Sequence, residues 1–143
     1  MAERPRFHCA FAVHDLDTTR AFYGDLLGCV EGRSAKTWVD FSLHGHQLSA
    51  HMIQGGQDIR ARNASNPVDG DDVPIPHFGL ILAWSDWHAL AERLKSRGTQ
   101  FVIEPHVRWA GKTGEQATMF LRDPSGNALE FKAFQDEGQI FAR

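Results

Sequence analysis

Two short stretches of this chain recur, in order, in its second half: Phe7-His8-Cys9 is echoed by Pro76-His77-Phe78, and Gly45-His46-Gln47-Leu48-Ser49 by Gly126-Asn127-Ala128-Leu129-Glu130. A spacing of about 70 residues is too long for a solenoid repeat and suits a duplicated supersecondary unit, two sheets closing around a shared cleft. Such a repeat limits the chain to paired modules. It also puts His8, His77 and Glu130 at related strand positions.

Within the first copy, Phe7–Val13 is a short apolar run of strand type. Asp15-Leu16-Asp17-Thr18 then offers capping side chains before Thr19–Leu27, where Phe22 and Leu26, with Tyr23 and Leu27 alongside, fall at helical spacing. Gly28 stands where a helix ends. Strands are expected around Val30–Gly32, Thr37–Leu43 and Gln47–Ile53, with Gly45 at the turn between the last two. The order is βαβββ.

Gly55 to Pro76 is rich in Gly, Asp, Asn and Pro and is longer than an ordinary connection, so residues 55–75 are expected to form a linker and a candidate lid. The second copy then repeats the order. A strand His77–Ala83 leads to a cap at Ser85 or Asp86, a helix through Leu90, Leu94 and Lys95 to Gly98, and strands near Gln100–Glu104, Ala117–Arg122 and Ala128–Phe134. Asp123-Pro124-Ser125-Gly126 forms the last turn. The expected fold class is α+β, one domain of 143 residues with modules at about 6–54 and 76–135.

A chain of this size buries roughly 70% of the surface it would expose unfolded, enough for a core without staples. The net charge of −3, from 15 basic and 18 acidic residues in no long run, offers no electrostatic footprint for nucleic acid or an anionic membrane. A small molecule is the expected partner. The N-terminus lacks the apolar run of a secretory signal and no stretch approaches the roughly 20 apolar residues of a bilayer span, so the expected location is cytoplasmic. Cys9 and Cys29 lack the spacing of a zinc ribbon or a disulfide scaffold and are read as packing thiols.

Eight histidines, four tryptophans and ten phenylalanines exceed what a generic core requires, and position decides which of them face a pocket. Two imidazoles and one carboxylate on one side of a divalent ion leave coordination positions open, which separates a catalytic site from a structural one. Strand alternation groups His8 with Ala10 and Ala12, and His77 with Gly79 and Ile81, so small neighbours leave room beside an ion. Glu130, between Leu129 and Phe131 in a strand expected inside the sheet, needs a cation to stay ionised. Taken singly, each histidine reads more often as a hydrogen-bonded structural residue than as a ligand, and Glu130 reads as a partner of Lys132 or a distant arginine. Their joint placement favours the metal. In the first copy the position of Glu130 is held by Ser49, a poor ligand, so three protein ligands are expected.

His8 with Val13-x-Asp15, Phe22-Tyr23-x-x-x-Leu27-Gly28, Pro76-His77-Phe78 and the closing Phe120-x-x-Asp123-Pro124-x-Gly126-Asn127-x-Leu129-Glu130 together resemble the vicinal oxygen chelate superfamily. That superfamily includes glyoxalase I, extradiol ring-cleaving dioxygenases, fosfomycin-modifying enzymes, methylmalonyl-CoA epimerase and bleomycin-binding proteins. The resemblance implies paired βαβββ modules whose eight strands make a cup around a metal held by His8, His77 and Glu130, and it implies a homodimer. A set of three ligands looks most like the extradiol dioxygenases, which hold iron(II) and insert oxygen into a catechol ring. Iron(II) is therefore the favoured metal, with manganese, nickel or zinc also compatible with two imidazoles and a carboxylate.

On the same resemblance, His46 corresponds to a histidine that handles protons beside the metal; its plain reading is a solvated hairpin residue. Ring-cleaving relatives carry a tyrosine where this chain has Phe120, and phenylalanine cannot donate a hydrogen bond. His51 and His106 are the residues placed to compensate, and Arg108 is placed to meet an anionic substrate unless it lies with Trp109 on a solvated loop. Trp38, Phe41 and Phe120 line an aromatic pocket or pack the core. The expected activity is that of a metal-dependent dioxygenase on a small catechol-like or vicinal-oxygen substrate, with His46 and His51 catalytic and Arg108, Phe120 and Trp38 binding. The alternatives are a glyoxalase-like isomerase or lyase, with His51 or Glu115 as base, and a small-molecule-binding resistance protein.

Overall fold

The structure, a computed structural model, describes residues 4–54 and 63–143. These fall into two compact units, the described part of Met1–Arg62 together with Asp123–Asn127, and Asn63–Arg122 with Ala128–Arg143. Each unit carries one βαβββ module. In the first, β1 (His8–Val13), α1 (Leu16–Arg20), β2 (Val30–Ala35), β3 (Trp38–Leu43) and β4 (His46–Met52) form a sheet of order β1-β4-β3-β2. The second unit begins with β5 (Ala64–Val68) and β6 (Asp71–Ile75). Its own module follows as β7 (Phe78–Ile81), α2 (Trp84–Ser96), β8 (Phe101–Arg108), β9 (Gln116–Arg122) and β10 (Ala128–Phe134), a sheet of order β7-β10-β9-β8.

The two sheets share their pairing as well as their order. β1 runs parallel to β4 with Cys9 opposite Leu48 and Ala10 opposite Ser49, and β7 runs parallel to β10 with Phe78 opposite Leu129 and Gly79 opposite Glu130. His8 and His77 are thus equivalent, and Ser49 stands where Glu130 stands. Because strand side chains alternate, a slip of one residue in either sheet would have broken both equivalences.

Local chemistry explains the module borders. Asp15 caps α1 by accepting the Thr18 amide at 2.7 Å, and Gly28 follows the helical segment with φ of 76°, a left-handed value that suits glycine. The expected single helix to Leu27 is α-helical only to Arg20 and continues as a π-helical stretch, Ala21–Leu26. Its wider turn accompanies the burial of both Phe22 and Tyr23, adjacent residues that an α-turn would aim in different directions. Helix α2 starts at Trp84 with Ala83 as its N-cap, not at Ser85 or Asp86; Asp86 instead lies in the first turn, where a carboxylate suits the helix dipole. Inside the second unit, Trp87 is buried and donates its indole N–H to the Phe131 carbonyl at 2.8 Å.

The expected linker is corrected. Residues 55–62 lie outside the described residues, but 64–75 form a β-hairpin, so the strands number ten among the described residues and not eight. The hairpin turns at Asp69-Gly70, both with positive φ, as a two-residue turn between twisted strands requires. Pro67 and Pro74 sit inside its strands, tolerable because neither strand pairs with a third among the described residues. β8 likewise runs past Glu104 to Arg108, and the register shifts between Ile103 and His106 accommodate Pro105. Among the described residues no helix is long and apolar enough to cross a membrane.

Candidate active site

The second unit brings two of the three expected ligands together. His77, just ahead of β7, places Nε2 3.2 Å from Oε1 of Glu130 on β10. Gly79 makes that proximity possible: a Cβ there would collide with the Glu130 carbonyl, so β7 approaches β10 as only glycine allows. Sequence reasoning gave Gly79 the role of leaving room for an ion; its first role is backbone approach.

Both side chains are held from behind. His77 Nδ1 is 2.7 Å from the Pro74 carbonyl, which can only accept, so Nδ1 carries the proton and Nε2 is the nitrogen turned to Glu130. Thr118, opposite Lys132 on β9, donates its hydroxyl to Oε2 of Glu130 at 2.5 Å. The Glu130 hydrogen bond raises the His77 pKa above its ordinary value, against burial, with the Pro74 contact adding to the rise. Burial pushes the Glu130 carboxyl up, but bonds from His77 and Thr118 and the charge of Lys132 outweigh it and leave the carboxyl below its usual range. The two shifts agree on a charged pair. Two ligands held about 2.1 Å from an octahedral ion stand about 3 Å apart, so the observed separation fits a cation exchanged for the shared proton. Among the described residues no group of three His, Cys, Asp or Glu side chains is assembled around a metal position.

His8 belongs to the first unit, exposed at the start of β1. Its Nδ1 lies 2.9 Å from Oε1 of Gln47, whose Nε2 faces Asp40 Oδ2 at 3.4 Å, and Ser49 Oγ donates to Asp40 Oδ1 at 2.6 Å. Since the Gln47 amide N–H is turned to a carboxylate, its oxygen accepts from His8 Nδ1–H, leaving Nε2 of His8 with its lone pair outward. His8 and His77 therefore present the same nitrogen. Ser49 is buried and donates its hydroxyl to Asp40.

His46 accepts the Phe7 amide at Nδ1, 2.9 Å, so its Nε2 carries the proton. It lines, with His8, Gln47, Asp40, Arg6 and Arg33, a cavity of about 520 Å³ in the first unit. His51 is exposed on β4, opposite Trp38. Trp38 is half-buried with the Arg33 guanidinium 5.8 Å from its ring centre, while Phe41 is buried against Tyr23 in the core. The Glu115 carboxylate accepts the Gly111 amide at 2.6 Å and closes a loop. Both cysteines are free thiols, and burial pushes Cys29 up to about 11.

Phe120 is fully buried with its ring edge-to-face on His77, centroids 4.9 Å apart. The guanidinium of Arg108 lies 5.9 Å from the centre of the same ring, and Arg108 is itself buried at the end of β8, not on a solvated loop. Arg108 Nη2 and His106 Nε2 both reach Oδ2 of Asp71, at 2.8 and 3.0 Å. Sequence reasoning missed Thr118, Pro74 and Asp71. Thr118 was findable, because alternation places it two residues from Phe120 on one face; Pro74 and Asp71 were hidden by the misread hairpin.

A family model described as the Glyoxalase/Bleomycin resistance protein/Dioxygenase superfamily matches residues 7–131. A solved glyoxalase/bleomycin resistance protein/dioxygenase from Alicyclobacillus acidocaldarius is 30% identical, with 96% of each chain covered and a TM-score of 0.78. In fold alone the chain is similar to the lactoylglutathione lyase of Agrobacterium tumefaciens, 21% identical, all of both chains covered, TM-score 0.66. The same holds for a glyoxalase/dioxygenase of Nostoc punctiforme, 16% identical, 93% and 92% covered, TM-score 0.67. No curated protein matches the chain by sequence.

Proposed function

The chain belongs to the glyoxalase/bleomycin resistance protein/dioxygenase superfamily, and on that premise we propose that it is a metal-dependent enzyme acting on a small substrate through adjacent oxygen atoms, most like a dioxygenase. The observation that carries the reading is the His77–Glu130 pair, an imidazole nitrogen and a carboxylate oxygen facing each other with their outer atoms anchored by Pro74 and Thr118. Such backing fixes a ligand's tautomer and orientation before the ion arrives. His8 is the third ligand by its place in the repeat, and its Gln47 contact sets the same tautomer. Iron(II) is the favoured ion, with manganese, nickel or zinc as alternatives.

A divalent ion at such a site supplies Lewis acidity, lowering the pKa of hydroxyl groups that coordinate it. The protein's own groups do the rest. Phe120 walls off one side of the His77 ring from water, and Glu130 keeps its charge for the ion because Thr118 bonds the remote oxygen. His46, with Nδ1 committed to the Phe7 amide, acts through Nε2–H as a donor to substrate, and His51 serves as the more solvated base.

A second reading, a glyoxalase-like isomerase or lyase, is favoured by one observation: the aromatic side chain beside His77 is Phe120, with no hydroxyl to position a ring-cleavage substrate. Anaerobic purification, elemental analysis and oxygen uptake with a panel of catechols after iron(II) loading separate the readings. Near-stoichiometric iron with catechol-dependent uptake supports the dioxygenase. Zinc, nickel or manganese without uptake moves the assignment to isomerase chemistry, and failure to bind any ion overturns the metalloenzyme.

A further inference from the structure

Arg108 is 4% exposed, and its Nε has no hydrogen-bond partner among the described residues. Buried guanidinium N–H groups are expensive to leave unmade, and an orphan of this kind asks for an explanation. Nε and Nη2 lie on one edge of the guanidinium, the edge that receives a carboxylate through two parallel bonds. Here that edge is half used: a single oxygen of Asp71, Oδ2, reaches Nη2, and the same oxygen also meets His106 Nε2. The other ring nitrogen of His106 lies 2.8 Å from the Glu104 carbonyl, so the imidazole faces Asp71 in a fixed orientation.

Asp71 comes from the hairpin β5–β6, a two-stranded ribbon that packs on the rest of the unit through Val73 and Val68 against Ile103 and Phe120. It is the more exposed partner of the pair, its side chain 25% accessible against 5% for Arg108. The same Phe120 ring also meets His77, centroids 4.9 Å apart, and His77 in turn meets Glu130. One aromatic ring is therefore a neighbour of both the half-filled guanidinium and the imidazole of the proposed metal-ligand pair.

We infer that Arg108, with His106, is the recognition point for a carboxylate on the substrate, and that Asp71 stands in for that carboxylate in the free protein. The inference rests on the proposed metal-dependent reading of the same site and names its substrate class: a small, flat acid held through its carboxylate on Arg108. The choice of a carboxylate over a phosphate follows from Asp71, a planar group that already fits between Arg108 and His106, and from the flat Phe120 surface beside it. A ligand with two coplanar oxygens fills both Nε and Nη2, which Asp71 does not. No bond is made or broken; the partly exposed Asp71 side chain turns away as the ligand arrives, while Val73 and Pro74 of the same strand stay in place against Phe120 and His77.

The test is a calorimetric titration of metal-stripped protein in chloride-free buffer with benzoate, inorganic phosphate and uncharged benzamide. Wild type is expected to bind benzoate in preference to the other two. Asp71→Asn, which removes the competing charge, is expected to bind benzoate about tenfold more tightly, and Arg108→Gln about tenfold or more weakly. Should Arg108→Gln fail to fold, Asp71→Asn decides alone. Benzoate binding no tighter in Asp71→Asn than in wild type overturns the inference, as do equal binding of benzamide and a preference for phosphate. Metal content plays no part in this titration, so its failure and a failure to load metal are separate results.

Discussion

The hydroxyl of Tyr23 donates to Oδ2 of Asp123, 2.8 Å away and 100 residues later in the chain. Oδ1 of the same carboxylate accepts the amides of Ser125 and Asn127, both at 2.9 Å, and the Asn127 side chain donates to the Ala12 carbonyl and back to Asp123. Tyr23 is buried among Phe11, Phe22 and Phe41, and burial, with Asp123 beside it, pushes its hydroxyl well above its ordinary pKa. The phenol therefore stays protonated as a donor. The Asp-Pro-Ser-Gly-Asn turn is a structural clasp that fixes where the chain enters β10, four residues ahead of Phe131 and three ahead of Glu130.

Tyr23→Phe removes one donor from a carboxylate that keeps three others. A hydrogen bond to a charged group contributes about 1.5–3 kcal/mol, and the urea midpoint should fall accordingly with an unchanged slope. Metal content of the variant should match wild type, which separates the clasp from the site.

Gly79→Ala drives a methyl group into the Glu130 carbonyl, a clash with backbone that no rotamer change relieves. β7 must shift from β10, carrying His77 with it. A loss of about 3 kcal/mol or more is expected, at the upper end for overpacking. Thermal denaturation and metal analysis of the same sample check that both fall together.

His77→Ala and Glu130→Ala should each abolish stoichiometric metal binding while leaving a folded domain. Thr118→Val, which touches only the remote Glu130 oxygen, should weaken metal affinity by about 10–100-fold, the usual cost of losing such backing. Elemental analysis and competition with a chromophoric chelator read all three; full occupancy in either alanine variant would sink the assigned site.

In metal-stripped protein the His77–Glu130 pair makes stability depend on pH. His77 is raised from 6.5, so its share is complete below that value and is lost as pH climbs through the raised folded value. Glu130 is lowered from 4.5, so its share is complete above that value and is lost as pH drops through the lowered folded value. The pair therefore stabilises most between 4.5 and 6.5 and less on either side. Subtracting the melting curve of Glu130→Gln from that of wild type at each pH should show this maximum.

Much of the fold was legible because the repeat preserves register. His8 and His77, Ser49 and Glu130 align in the sheets as they do in the sequence, and Gly28, Gly45 and the Asp123 turn stop elements where their backbone conformation demands. The hairpin was missed because Pro67 and Pro74 break the alternation that marks a strand, although Asp69-Gly70 is among the strongest hairpin signals a sequence offers. Missing it hid Asp71 and Pro74, and with them the partners of Arg108 and His77. Phe120 was read for its missing hydroxyl, but its contacts with His77 and Arg108 depend on pairing between β8, β9 and β10, which no local pattern encodes.

Because the Tyr23 clasp closes on residues 123–127, the first unit is not contained in the first part of the chain. During synthesis the ribosome releases β1 through β4 long before it releases Asp123. Until then Tyr23 has its aromatic neighbours but lacks its acceptor, and the nascent first module waits on the last hairpin turn to complete it. Cutting the gene between the two modules would thus yield an N-terminal fragment that lacks a piece of its own core, recoverable only when the missing turn is supplied in trans.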